Sequence, residues 1–66
     1  MKRENAGFII IGSERIGINE EIVFGMNDSQ YVTWHCRNGK DYSNGHYGSS
    51  FMDAIDDFKR RVIRGY

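Results

Sequence analysis

"YVTWHCRNGKDYSNGHYG", residues 31–48, is the stretch on which the fold turns. Residues 31–36 are dense in β-branched and aromatic side chains, the composition of a half-buried pleated strand. They alternate: Val32, Trp34 and Cys36 point one way, while Tyr31, Thr33, His35 and Arg37 point the other. "RNGK" (37–40) is hairpin chemistry, because Asn-Gly supplies the two positive φ angles of a type I′ turn. "DYSNGHYG" (41–48) is then the returning strand, expected to be irregular at Asn44-Gly45.

Upstream, "NDSQ" (27–30) is a turn, since Asn and Asp tolerate left-handed backbone and bond their own main chain. "EEIVFGMN" (20–27) reads as a strand with Ile22, Phe24 and Met26 on one face. "GFIIIG" (7–12) is a short apolar run between glycines. "SERIGIN" after it either continues a bent strand or turns. Downstream the glycines stop after Gly48 until Gly65, and the pattern changes from strand to helix. Ser50 with Asp53 three residues on resembles a capping box. Phe51, Ala54, Ile55, Phe58 and Val62 form one apolar stripe. Asp53, Asp56 and Asp57 come early and Lys59, Arg60, Arg61 and Arg64 late, complementing the helix dipole.

The expectation is therefore an α+β domain over residues 1–66: an antiparallel sheet of three to four strands (7–48) with one C-terminal helix (50–64) packed on one face, in the order β-β-β-β-α. Val32, Trp34 and Cys36 carry the bulkiest hydrophobes, so theirs is the face expected under the helix, with Trp34 against Phe58.

Composition narrows the function. Nine Lys and Arg balance nine Asp and Glu, whereas a nucleic-acid binder usually carries a basic excess. No run approaches the ~20 apolar residues of a membrane span. The apolar part of "MKRENAGFIII" is only FIII, shorter than the ~7–15 residues of a signal peptide. A cytoplasmic protein without membrane contact is expected. A single cysteine allows no internal disulfide.

No cofactor, metal or catalytic residue is expected. His35 and Cys36 are adjacent on a strand and face opposite ways, so they do not share an ion, and the ligand spacings of structural zinc are missing. Cys36 beside Trp34 reads as a buried, inert thiol. "GSERIG" lacks the Lys-Ser/Thr pair and following helix of a phosphate loop. A chain of this length has little room for a substrate pocket.

One helix does not cover two apolar faces. Phe8, Ile9, Ile10 and Ile11 make both sides of the first strand apolar, and such a strand expects cover on both. Either the N-terminal segment folds back or another molecule supplies the cover. Exposed apolar and aromatic surface usually marks an interaction site, so Tyr31, Thr33, His35 and Arg37, with Ile9, Ile11 and Val23, are the candidate partner-binding residues, Tyr31 and His35 near the centre.

Val32-Thr33-Trp34, Gly45-His46-Tyr47, and Ala54 through Asp57-Phe58 to Arg61 form a pattern, V-T-W … G-H-Y … A-x-x-D-F, that resembles short proteins of bacterial phages and mobile elements. The resemblance covers the C-terminal half and carries over no activity or site residues. It implies an accessory protein that regulates or inhibits host machinery. The reading is a small non-enzymatic module with a protein partner or a homodimeric state. The alternative is nucleic-acid binding by Lys59, Arg60, Arg61 and Arg64 with the open-face aromatics. Steep weakening with salt would mark phosphate contacts.

Overall fold

Ala6 and Gly7, both at positive φ (52° and 83°), fold the start of the chain back on itself. They join β1 (Glu4–Asn5) to β2 (Phe8–Gly17). The computed structural model describes residues 3–66. β3 (Glu20–Met26), β4 (Tyr31–Arg37) and β5 (Asp41–Gly48) follow, then α1 (Phe51–Arg64). All neighbours are antiparallel and the sheet order is the chain order. The α+β class and the single C-terminal helix stand as expected; the sheet has five strands rather than three to four.

Turn chemistry behaves as the sequence indicated. Asn38 and Gly39 have φ of 55° and 73°, and Lys40 N–H donates to Arg37 O at 3.2 Å. Asn27 Oδ1 accepts from the N–H groups of Ser29 (2.9 Å) and Gln30 (2.7 Å). "SERIGIN" (13–19) is both strand and turn: β2 continues through Ser13–Gly17, with register shifts against β3 between Ile10 and Gly12 and between Arg15 and Gly17, and Ile18-Asn19, with Asn19 at φ 60°, turn into β3. The irregularity at Asn44-Gly45 is a bulge opposite Trp34, because Thr33 pairs with His46 while His35 pairs with Ser43. The bulge reverses the alternation of β5. Tyr42 and Tyr47 thereby both lie on the Trp34 side.

The sheet has two covered faces with different covers. On one, Phe8, Val23, Val32, Trp34 and Cys36 form a buried cluster with Ile10 and Tyr42 against it. Phe8 and Tyr47 belong to strands separated by β3 and β4, which a flat sheet would hold ~14 Å apart. Their ring centroids are 5.8 Å apart, so the sheet curls and closes over Trp34. The Trp34 ring meets Phe8 at 5.5 Å, Tyr42 at 5.4 Å and Tyr47 at 6.0 Å, all edge-on. Gly45 sits beneath this contact: a Cβ there would come within 2.7 Å of the Tyr47 ring and 2.8 Å of Trp34 Nε1. Arg3 closes the open end, donating to both Glu21 carboxylate oxygens at 3.1 Å and to Tyr42 OH at 3.2 Å. The helix is expected on this side; its cover is instead the curled sheet, with Arg3 of the N-terminal segment reaching over the end.

α1 covers the other face. Phe24 meets Phe58 at 5.9 Å and Phe51 at 6.0 Å, and Tyr31 meets Phe51 at 5.4 Å. The helix therefore lies over the Tyr31/Thr33/His35 side and not over Val32, Trp34 and Cys36, and Phe58 packs on Phe24 instead of Trp34. The reason lies in the curl. Side chains of β2 and β5 already bury Trp34, whereas the other side carries Ile22 and Phe24 with nothing from the sheet to cover them. Val23 also changes sides: it pairs with Trp34, not with the Tyr31 set.

Ser50 caps α1, accepting from Asp53 N–H at 3.2 Å, and Gly65 at φ 86° ends it with its N–H on Arg61 O. The cap satisfies one of the free N–H groups of the first turn.

Candidate interaction surface

Thr33 is the point on which the helix is oriented. Its hydroxyl donates to Asp57 Oδ2 at 2.6 Å and accepts from Arg61 Nη1 at 2.9 Å, and its carbonyl accepts from the same Nη1 at 3.0 Å. His46 Nδ1 lies 3.0 Å from Asp57 Oδ2. Arg61 is 1% exposed and its Nε has no partner. Burial pulls the Arg61 guanidinium down from its ordinary value, against the charge of Asp57, which supports it. Burial pushes Asp57 up, but hydrogen bonds from Thr33 and His46 and the charges of His46 and Arg61 outweigh it, holding the carboxyl below its usual value.

These contacts turn the helix. With ~100° per residue, the apolar stripe of Phe51, Ala54, Ile55, Phe58 and Val62 is centred about 60° away from the direction set by Arg61 and Ala54. Its outer half misses the sheet. Phe51 is 47% exposed, and Met52 and Ile63, on the same flank, are 67% and 87% exposed. Between this flank and β2 runs an apolar groove. One end is lined by Ile11, Gly12, Phe24 and Phe51, the other by Glu14, Lys59, Val62 and Ile63, with Ile55 and Phe58 shared. The larger end encloses ≈ 490 Å³.

The residues expected at a binding face are dispersed by this arrangement. Val23, Thr33 and His35 are buried: Val23 in the Trp34 cluster, Thr33 under Asp57 and Arg61, His35 with its Nε2 2.9 Å from Glu20. Tyr31 is half-buried beneath Phe51. Tyr31, Thr33 and His35 fail as a free surface because α1 covers their face, and Val23 because the curled sheet closes over its own. Arg37 is exposed at the end of β4. Ile9 and Ile11 are exposed, at 40% and 50%, and Ile11 alone of the set lines the groove. The apolar stripe assigns Ile55, Phe58 and Val62 to the core and leaves Ile63 out. Their signal was in the sequence: with Met52 and Ile63 included, the apolar arc spans about half the helix circumference, more than one sheet contact fills.

Arg61 also leaves the basic group proposed for phosphate contact, since it is buried. Lys59, Arg60 and Arg64 remain exposed, and the Arg64 guanidinium stacks 4.7 Å over the Tyr66 ring.

His35 and Cys36 lie on opposite faces, as strand alternation requires. Burial first, then the charge of Glu21, pushes the Cys36 thiol up, against opposing contacts from Arg3 and Tyr42. That direction disfavours the nucleophilic thiolate. Among the described residues no group of three or more His, Cys, Asp or Glu is placed to hold a metal ion, and no helix is long and apolar enough to cross a membrane. Compared with known proteins, this chain matches no family model, no curated protein and no solved structure.

Proposed function

We propose that this chain is a small, non-enzymatic protein-binding module whose contact surface is the groove between β2 and the outer flank of α1. One observation carries the reading: the apolar arc of the helix continues past the sheet and joins Ile11, leaving aromatic and aliphatic side chains side by side at the surface. Contiguous exposed apolar surface on a small domain usually marks a binding site. The resemblance of the C-terminal half to short phage and mobile-element proteins supports an accessory role, regulating or inhibiting host machinery in the cytoplasm. Nucleic-acid binding is the weaker reading, because one of its four basic residues is buried and the net charge is zero.

The test is capture from a bacterial lysate by three forms of the chain: wild type, Ile63→Asp, and Lys59→Ala with Arg60→Ala and Arg64→Ala. A protein held by the wild type and by the basic triple variant, at low and moderate salt alike, but lost with Ile63→Asp, is the expected result. Retention by Ile63→Asp with loss in the triple variant and in moderate salt would transfer the function to phosphate binding.

A further inference from the structure

We infer that the groove and α1 flank take a second copy of this chain, with the two α1 helices packed antiparallel about a two-fold axis. The inference rests on the reading of that surface as a protein-binding site and names its occupant.

Charge polarity of the helix is the first ground. Asp53 and Asp56 are exposed in its first half; Lys59, Arg60 and Arg64 are exposed in its second. Two such helices laid parallel set acid beside acid and base beside base. Laid antiparallel, Asp56 of one copy meets Lys59 of the other, the two charged residues nearest the exposed flank at ~100° per residue, and the helix dipoles oppose favourably as well. A two-fold contact repeats every interaction twice, so one favourable Asp56–Lys59 juxtaposition becomes two.

The apolar side chains obey the same symmetry. Met52 and Ile63 stand at opposite ends of the exposed flank, with Ile55, Lys59 and Val62 between them. An antiparallel pair brings Met52 of one copy toward the Val62-Ile63 end of the other, and the Ile55–Lys59 segments cross at the centre. The stem of Lys59 can lie along apolar surface with its ammonium at the rim. A net charge of zero sets up no long-range repulsion between copies.

Strand pairing is the competing way to dimerise, through β5 at one end of the sheet or through the outer side of β2 beyond its two residues paired with β1. β5 is broken by the bulge at Asn44-Gly45, and β2 is no better built. The register shifts at Ile10/Gly12 and Arg15/Gly17 leave only a short regular run between them, and bulges of this kind blunt an edge. Size sets the expected strength. A standard interface takes ~800 Å² from each partner, close to a fifth of this chain's 4484 Å². One flank of a 14-residue helix supplies less than that, so the dimer is expected to be reversible and concentration-dependent.

Sedimentation equilibrium of the full chain from low micromolar to millimolar concentration tests this. The wild type should rise from 7.7 kDa toward twice that mass. Ile63→Asp should weaken association at least tenfold while keeping a wild-type melt. Asp56→Lys and Lys59→Asp should each weaken it several-fold, because each places like charges together at both symmetric positions. An equimolar mixture of those two variants should associate more tightly than either alone, since every pair is then opposite in sign. A gain on mixing is not expected from damage to the fold. A wild type that stays at monomer mass, or charge variants without effect singly and mixed, would overturn the second-copy assignment. If the monomeric wild type still captured a lysate protein in an Ile63-dependent way, the surface would stand with another occupant. Monomer mass together with Ile63-independent capture would remove both.

Discussion

The two faces of the sheet are buried by different means. The Trp34 face is sealed by the sheet itself: the curl brings Phe8 and Tyr47 together across it, and Arg3 closes the end. It is almost wholly apolar and aromatic. The Thr33 face is sealed by a separate element and keyed by polar contacts, with Arg61 and Asp57 meeting Thr33 while Phe24 supplies the apolar area. A face closed by its own strands buries its central side chains from all sides, with only Tyr47 half exposed at the rim. A face closed by a helix that polar contacts have turned leaves part of the helix unburied. The exposed groove follows from that second arrangement.

The comparison breaks most easily at Trp34. Trp34→Ala removes the centre of the self-closed face and is expected to cost about 3–5 kcal/mol. That is most of the stability of a domain this small, and it should show as loss of a cooperative thermal transition. Phe24 and Phe58 separate the two covers. Phe24, 2% exposed, should approach the same cost on truncation to alanine. Phe58, half-buried at the groove, should lose about 1–2 kcal/mol in urea denaturation, since only part of its area leaves water on folding. Equal losses would mean that the helix is as well packed as the strands.

Thr33→Val keeps shape and removes the hydroxyl between Asp57 and Arg61. It should cost about 1–3 kcal/mol by leaving charged partners under-bonded, and it is expected to loosen the helix before the Trp34 face. Amide hydrogen exchange resolves the two, α1 amides gaining exchange before those of β4. The same contact has a pH signature. The Asp57 carboxyl lies below its usual value in the fold, so the unfolded chain binds the proton more readily. The stabilisation is present above the unfolded value of ~3.9 and is lost as pH falls through the lower folded value. Asp57→Asn should flatten the acid side of the stability profile in that window. An unchanged acid slope would remove Asp57 from the account. The smallest effect belongs to Arg60→Ala, which should shift stability by no more than about 0.5 kcal/mol.

Much of the architecture was legible because local chemistry specifies it. Asn38-Gly39 turns the hairpin since its backbone favours positive φ, Ser50 caps the helix, Gly65 ends it, and alternation assigns Val32, Trp34 and Cys36 to one side. The cover on each side was not legible. Alternation says which residues share a face, not what lies over it, and the bulk of Trp34 suggested the helix. The bulge at Asn44-Gly45 was visible as an irregularity. Its consequence, Tyr42 and Tyr47 on one side, depends on a register that only pairing with β4 establishes.

From its own residues the chain determined the element order, the turns, the caps, the apolar arc of α1 and the division of its charges, because each depends on neighbours a few positions apart. The tertiary structure decided which face the helix takes, which basic residue is buried and which part of the apolar arc remains at the surface. Those outcomes depend on sheet curl and on Thr33 meeting Asp57 and Arg61, contacts between residues 24 and 28 positions apart, whose geometry exists only once the strands have paired.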